Sequence, residues 1–498
     1  MKTVHFKLIK KILLGLFALV ISLFVIGYLA FYFLVQTNLD HYKNELIEQI
    51  SKATNKKVTI ESFDANWNVT NPQFIIENFS IYANTSEKSF TFKKFKVDVS
   101  WMSLLKFELV LDQVTLYDLA LEIQKNNETD YLIGGLKVSF NADSNDEVDG
   151  KLINWILNQD EVQMINAKII WIDKTRANSP PLILSDINLS YSTSDILSYL
   201  DRHLFYLDFF SSAGTKDKIS LSGHFDADSI DELLESNGAV SFKFNDLNLY
   251  AFSPWINYPL TIKDGTGSLS INIEFENGKL KEGGSSFSIQ NLNANTIDNT
   301  KQGLVFNDIR GEINYKLIND DINIILDNLF LTTNSKLQFE DSAASIKYNL
   351  KANQINKVKL VVDRFDLGSV KEISNQFLPE EHRTNVIINE LSAKGEIDDL
   401  KLNWHRTKDG EGPSLKLKAK LLEIEINEFE SFPGLKNVTG EVKIENEKGN
   451  IRSVSRNLII TKQDVFRAPL QLNQFSGSVN WDNEKYSYLT VPFNIASI

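Results

Sequence analysis

Cysteine is absent from all 498 residues. That removes disulfides, thiolate nucleophiles and thiolate metal sites together, and it fixes no redox compartment. Histidine is sparse: His5, His41, His203, His224, His382 and His405 are scattered without ligand spacing. No HExxH, Walker A or GxSxG run occurs. The glycine-rich "DGTGSLS" at 264–270 lacks the third glycine and the helix of a dinucleotide loop, and reads as a turn. "NADSNDEVDG" at 141–150 imitates alternating calcium ligands. Val148 stands where such a loop needs glycine, and no bidentate Glu closes it, so it reads as an acidic linker. Basic charge is in deficit, with a net charge of −13, which argues against a nucleic-acid partner. The expectation is a protein with no catalytic residue, no metal and no cofactor, and not an enzyme.

Long hydrophobic runs are missing from residue 36 onward, which makes the one at the start conspicuous. Ile12 to Val35 is 24 residues without a charge. At about 1.5 Å per residue it spans a hydrocarbon core of about 30 Å. Lys2, Lys7, Lys10 and Lys11 precede it, so residues 1–11 should stay in the cytoplasm and the rest should lie beyond the membrane. The run is too long for a signal-peptide core and no small-x-small cleavage pattern follows it, so it reads as an uncleaved single-pass anchor. Residues 36–57 continue with helical spacing (Leu39, Tyr42, Leu46, Ile47, Ile50), which predicts an amphipathic connecting helix.

From Val58 onward β signals dominate. Asn277-Gly278 between alternating runs is a hairpin signal, and "KIENEKGNIRSV" repeats it around Gly449. "FIIENFSIYA" (74–83) poses a puzzle: its apolar alternation slips by one residue at Asn78. A strand has a period of two, so a slip should turn the apolar face over. The same pattern, apolar-x-apolar-x-polar-apolar-x-apolar, recurs in "LVLDQVTL" (109–116), "LILSDINL" (182–189), "FKFNDLNL" (242–249) and "IILDNLFL" (324–331). "FTFKKFKV" and "LVVDRFDL" carry a basic residue at the break. "FSIQNLNA", "LVFNDIRG", "VIINELSA", "IEINEFES" and "LQLNQFSG" end on a small residue. A bulge or kink at each break would keep both halves on one face and bend the strand. Many strands bent at matching points make a curved trough with one apolar side. The residues predicted to line it are Phe74, Ile76, Leu182, Leu184, Ile187, Leu189, Phe242, Phe244, Leu247, Leu249, Ile324, Leu326, Leu329 and Leu331. Pattern alone leaves open whether that side is an open groove or closes on a second sheet.

Short helices are expected at 151–159, 194–203, 228–236 and 369–377. The fold class is therefore mostly β: an anchor helix, then an elongated, curved antiparallel sheet of repeated bent strands with a few short helices. A first groove segment spans 58–140, and after the linker the groove continues over 151–498.

Several segments together resemble the YhdP-type branch of the AsmA-like proteins of bacterial envelopes. Val58, Ile60, Trp67, Pro72 and Phe74 stand at the places of a family strand, Trp and turn. "SWMSLL" (100–105) is similar to another family segment. Trp155, Gln159, Trp171, Asp173 and Arg176 match a helix followed by W-x-D-x-x-R, and Phe432, Pro433, Gly434, Gly440 and Gly449 match a later strand-turn unit. The family's members are usually much longer, so the chain reads as a short or truncated member. The resemblance implies an inner-membrane anchor, a periplasmic body with an open apolar groove, and phospholipid movement between inner and outer membranes. Implied partners are phospholipid acyl chains, the inner membrane, and the outer membrane or other envelope proteins. The alternative is a structural or assembly factor for outer-membrane biogenesis without a lipid conduit, whose sheet edge would template other β proteins.

Overall fold

In a computed structural model of the protein, residues 22, 25–29, 31–68, 71–82, 88–100, 111–134, 136–139, 157, 159–176, 179–194, 202–227, 232, 235–258, 260–295, 304–334, 337–378, 381–407, 413–429 and 433–482 are described. Most of the expected anchor, the 141–150 linker and nearly all of the expected helices at 151–159 and 228–236 lie outside them. No helix among the described residues is long and apolar enough to cross a membrane. Phe31–Val35 and Gln36–Asn38 form short π and 3₁₀ turns that lead into α1 (Leu39–Thr54), as the spacing of Leu46, Ile47 and Ile50 requires.

The chain forms two compact units, Met1–Ala213 with Lys218–Gly238, and Gly214–Asp217 with Ala239–Ile498. In the first, β1 (Val58–Thr59) and β2 (Ser62–Asn68) pair with β3 (Asn71–Tyr82), which pairs with β4 (Lys88–Val99). β5 (Leu111–Tyr117) and β6 (Ala120–Lys125) are one interrupted strand. Both pair antiparallel with β4 and parallel with β9 (Glu161–Asp173). The sheet is therefore not antiparallel throughout: β7 (Asp130–Ile133), β8 (Leu136–Ser139) and the chain up to β9 intervene, long enough to return β9 in the same direction. β10 (Leu182–Ser194), β11 (Arg202–Ser211) and β12 (Ile219–Asp226) follow antiparallel. The helix expected at 194–203 is overturned at both ends, because Ser194 closes β10 and Arg202 and His203 open β11.

The second unit holds β13 (Asn237–Asn248), β14 (Thr261–Glu276), β15 (Lys279–Asn295), β16 (Leu304–Ile318), β17 (Asp321–Thr333), β18 (Gln338–Asn349), β19 (Gln354–Asp366), β20 (Lys394–His405), β21 (Ser414–Ile426), β22 (Gly434–Glu445), β23 (Lys448–Thr461) and β24 (Leu470–Asp482). From β14 to β24 each strand pairs antiparallel with the next. Asn277 and Gly278 make the β14–β15 turn with φ of 51° and 66°, the two left-handed residues a tight hairpin demands. The hairpin placed around Gly449 turns at Asn446 instead, and Gly449 lies in β23. "DGTGSLS" is not a turn either but part of β14, where Gly265 at φ 150° takes up a register shift. Two helices, α2 (Leu367–Phe377) and α3 (Arg383–Leu391), are inserted between β19 and β20. α2 was expected. α3 was not, since "VIINELSA" (386–393) reads equally as a slipped strand; the cap formed as Thr384 N donates to His382 Nδ1 starts a helix there.

At Asn78, Asp186, Asn291 and Asn328 the slip has a backbone cause, a left-handed residue at the break, whereas Gln113, Asp246 and Arg364, at the breaks of "LVLDQVTL", "FKFNDLNL" and "LVVDRFDL", have none. Strand-interior residues with left-handed φ are Asn78, Asn166, Asp186, Asn291, Asn328, Asp341, Asp399, Glu423, Asn437 and Asn457. All but Glu423 are Asn or Asp, which tolerate this region because the short polar side chain bonds locally. Two devices occur. At Asp186 and Asn328 the register shifts, as in a bulge. At Asn78 the register holds against β4, with Lys93 opposite; Asn291 and Asn457 keep register with Asn307 of β16 and Asn473 of β24 but shift against β14 and β22 on their other side. In "IEINEFES" the kink is at Glu423, before the unit, because β21 already ends at Ile426. Asn328 is exposed, so its substitution isolates the backbone term. Asn328→Val should lower unfolding stability by about 1–2 kcal/mol, whereas Asn328→Gly should be nearly neutral, as measured by thermal unfolding.

Candidate functional site: an apolar face across kinked strands

At several kinks both apolar half-strands meet one cluster. In the first unit Ile76, before Asn78, and Phe79 and Ile81, after it, pack together with Val58, Ile60, Phe92 and Ala167. Leu184 and Ile187, on either side of Asp186, join the same cluster. Phe79 and Phe92 stack with centroids 4.7 Å apart. A slipped strand without the left-handed residue would have sent one half to solvent. The kinks also line up from strand to strand on the polar side. Asn166 Nδ2 donates to Asp118 Oδ1, Lys93 pairs with Asp118 at 3.6 Å, and Asn188 Nδ2 donates to Asp208 Oδ1 at 2.9 Å. This polar seam satisfies groups that the bent ladder leaves unpaired.

The first unit's face is partly covered. Leu46, Ile47 and Ile50 of α1 lie against the cluster. The end of the apolar N-terminal run docks beside it: Phe31 meets Trp67 at 5.5 Å and Phe74 at 6.0 Å, and Tyr28 meets Trp67 at 5.4 Å. A second cluster gathers Val97, Leu111, Val114, Val162 and Tyr191 with Phe74. There His203 is buried, bonded to Tyr191 Oη at 2.7 Å and stacked on Phe225 at 4.8 Å, so it acts as a strut.

The second unit is more open. Ile313, Leu326, Ala344, Leu360, Leu402, Leu417, Ile444, Gly449 and Trp481 stand directly opposite one another in a row across β16 to β24. At about 4.8 Å per strand the row is about 40 Å wide. A parallel row runs Tyr315, Ile324, Ile346, Val358, Trp404, Leu415. None of these residues is buried, and the alternate positions are mostly Lys, Glu, Asn and Ser, with Ile325 and Val361 among them. Among the described residues no layer covers this area, and an apolar area of this extent marks a binding surface. Rings lie flat over opposed glycines on this face: a Cβ on Gly449 would come within 1.8 Å of Trp481, and one on Gly283 within 2.5 Å of Tyr315.

Beyond the kinks the face is packed. Leu292, Ala294 and Phe306 form a cluster with Leu249, Ile289, Ile309 and Leu331, and Ile373 of α2 rests on it. Leu367, at the start of α2, joins a second cluster around Ile397, Ile424, Val438 and Leu458. α2 therefore seals this edge. Its contact with α3 is polar: Ser374 Oγ donates to Asn385 Oδ1 at 2.7 Å, and Asn375 and Asn389 bond reciprocally. Both Ser374 and Asn385 are buried. Asn385→Ala leaves Ser374 without its acceptor and should cost about 1–3 kcal/mol in thermal unfolding.

Of the residues predicted to line the face, Ile76, Leu184 and Ile187 sit in the first cluster and Phe74 in the second. Leu182 stands opposite Trp171, and Leu189 opposite Met164 and Leu207. Phe242 and Phe244 are half-buried, Leu247 is buried, and Leu249 and Leu331 pack on the α2 edge. Ile324, Leu326 and Leu329 are half-buried on β17. The sequence reading missed Tyr28 and Phe31 against Trp67, the glycine-backed rings, and Ile373. Only Gly opposite an aromatic in adjacent hairpin strands could have signalled the second of these.

A family profile described as YhdP protein matches residues 1–492. The chain belongs to the YhdP family. No curated protein matches it. Of the positions that resembled the YhdP family, residues 101–105, Trp155 and Phe432 lie outside the described residues, and the others named here hold strands and turns. Trp67 faces Pro72 across the β2–β3 hairpin. The Thr175 hydroxyl and amide donate to Asp173, with Arg176 at 3.5 Å, fixing the β9–β10 turn and holding the Asp173 carboxyl below its usual range. Gly440 pairs with Ser453 where a Cβ would meet the Arg452 carbonyl at 2.2 Å. Among the described residues no cluster of His, Asp or Glu could hold a metal ion.

Proposed function

We propose that this YhdP-family protein is held in a bacterial inner membrane by Ile12–Val35, with its body in the periplasm, and that the apolar face handles phospholipid in transit between inner and outer membranes. One observation carries the reading: two rows of apolar side chains lie half-exposed across the second unit, with no layer over them among the described residues. Leaving an acyl chain in water costs about 0.8 kcal/mol per CH₂. Such a face removes that cost without chemistry, so no catalytic group is needed. The aromatic contacts of Tyr28 and Phe31 with Trp67, and of Phe31 with Phe74, join the anchor's end to the second apolar cluster, a short path from bilayer to protein.

A photo-crosslinking amino acid at Ile324 should capture phospholipid, and one at Asn314, on the opposite side of the sheet, should not. Crosslinks from Ile324 to protein alone would favour the assembly-factor reading. A periplasm-dependent reporter fused after Ile498 should be active; activity of a cytoplasmic reporter there instead would overturn the topology.

A further inference from the structure

The side of β18–β22 opposite the apolar rows carries lysines in an arrangement that works against the fold. Lys347 stands directly opposite Lys357, Lys401 opposite Lys418, and Lys418 opposite Lys443. Lys359 lies on the same side, opposite Ser345 and Asn403. Like charges directly opposed across strands are destabilising. The repulsion is relieved in part: Lys347 pairs with Asp321 at 2.8 Å, Lys443 reaches Glu441 at 3.9 Å, and Asp399, paired with Lys420, also feels the charges of Lys401 and Lys418. Among the described residues, Lys357, Lys359, Lys401 and Lys418 make no ion pair. The patch is a local inversion of sign in a chain of net charge −13.

The chemistry of the patch narrows the partner. Its cations are all lysine, hydrated point charges, without the arginine fork that reads carboxylates in pairs. The residues between them are Ser345, Asn403, Asn450 and Val361, with Lys416 paired to Glu445 and Lys420 to Asp399, and no aromatic. Protein interfaces deplete lysine at their centre and anchor on aromatics and arginine, the reverse of this pattern. Basic clusters of four to eight residues are instead how proteins hold anionic lipid surfaces. At the edge, Lys416, Lys443, Lys448 and Asn450, with Glu445 between, surround a depression of about 310 Å³. We propose that this side of β18–β22 docks on an anionic, phosphate-bearing lipid surface. The acidic remainder of the chain is repelled by such a surface, so only this side approaches it. The proposal is independent of the apolar face, since a sheet that carried no acyl chain could dock in the same way.

The test uses the full chain in phosphatidylcholine nanodiscs, offered vesicles of phosphatidylcholine alone or mixed with phosphatidylglycerol. Binding should require phosphatidylglycerol and weaken as salt rises. Replacing Lys357, Lys359, Lys401 and Lys418 with glutamine should weaken it about a thousandfold. The corresponding arginine variant should retain it, and the melting temperature of the glutamine variant should not fall, because repulsion is removed. Lys418→Gln alone, flanked by Lys401 and Lys443, should already weaken binding. Equal binding to both vesicles, or an unchanged glutamine variant, overturns the proposal. Tighter capture by poly-glutamate than by the anionic vesicles also overturns it, in favour of an acidic protein partner.

Discussion

Leu292→Asp should sharply lower the abundance and melting temperature of the protein, whereas Ile324→Asp should leave both nearly unchanged and abolish lipid crosslinking. The two leucine-like side chains differ in what surrounds them. Leu292 is 9% exposed and packed with Ala294, Phe306 and Ile373. An unpaired carboxylate there costs several kcal/mol, a large part of the 5–15 kcal/mol typical of a whole domain. Ile324 is half-exposed in the open row, so its replacement keeps contact with water while placing a charge where an acyl chain would lie. Ile325 is 40% exposed on the other side of the same strand and supplies the control: Ile325→Asp should affect neither stability nor lipid. Thermal unfolding and lipid crosslinking across the three variants decide the matter. If Ile324→Asp unfolds the protein as Leu292→Asp does, the face is a closed core. If Ile324→Asp still crosslinks lipid, the row is not its path.

Gly449→Val should move a ring rather than melt the sheet. Gly449 and Trp481 are directly opposed, and a Cβ on Gly449 would stand 1.8 Å from the indole. The indole is a side chain and can swing away, so the loss is that of overpacking, about 1–3 kcal/mol. Its new position projects from the floor of the apolar face. Tryptophan emission should shift, and lipid crosslinking at Leu417, in the same row, should fall. Adding Trp481→Val removes the clash, so the double variant should recover at least about 1 kcal/mol relative to the sum of the single changes. Strict additivity would mean that glycine is not there to seat the ring.

The period-two pattern with a polar break was legible because it depends on local chemistry. Asn and Asp enter the left-handed region at low cost, and the apolar residues on either side report which way the backbone must turn. Asn78, Asp186, Asn291 and Asn328 were all readable in this way. α1 and α2 were readable from their spacing, and the Asn277-Gly278 turn from its dipeptide. The misreadings share one cause. "VIINELSA" suits a helix and a slipped strand equally, and only the His382 cap and the contact with α2 decide between them. "DGTGSLS" looks like a turn until a neighbouring strand fills both of its edges.

The sequence by itself therefore determined the strands, their kinks, the alternation of apolar and polar positions, and the uncharged run at the N-terminus. Those properties belong to single residues and their immediate neighbours. The tertiary structure decided what those strands enclose. The parallel return of β9, the matching of Asn78 with Lys93 and Asn457 with Asn473, and the placing of α2 over Leu292 and Ala294 all depend on contacts between distant segments. So does the open row from Ile313 to Trp481. Burial is a property of what lies above a side chain, and an alternating strand carries the same letters whether a second layer covers it or not.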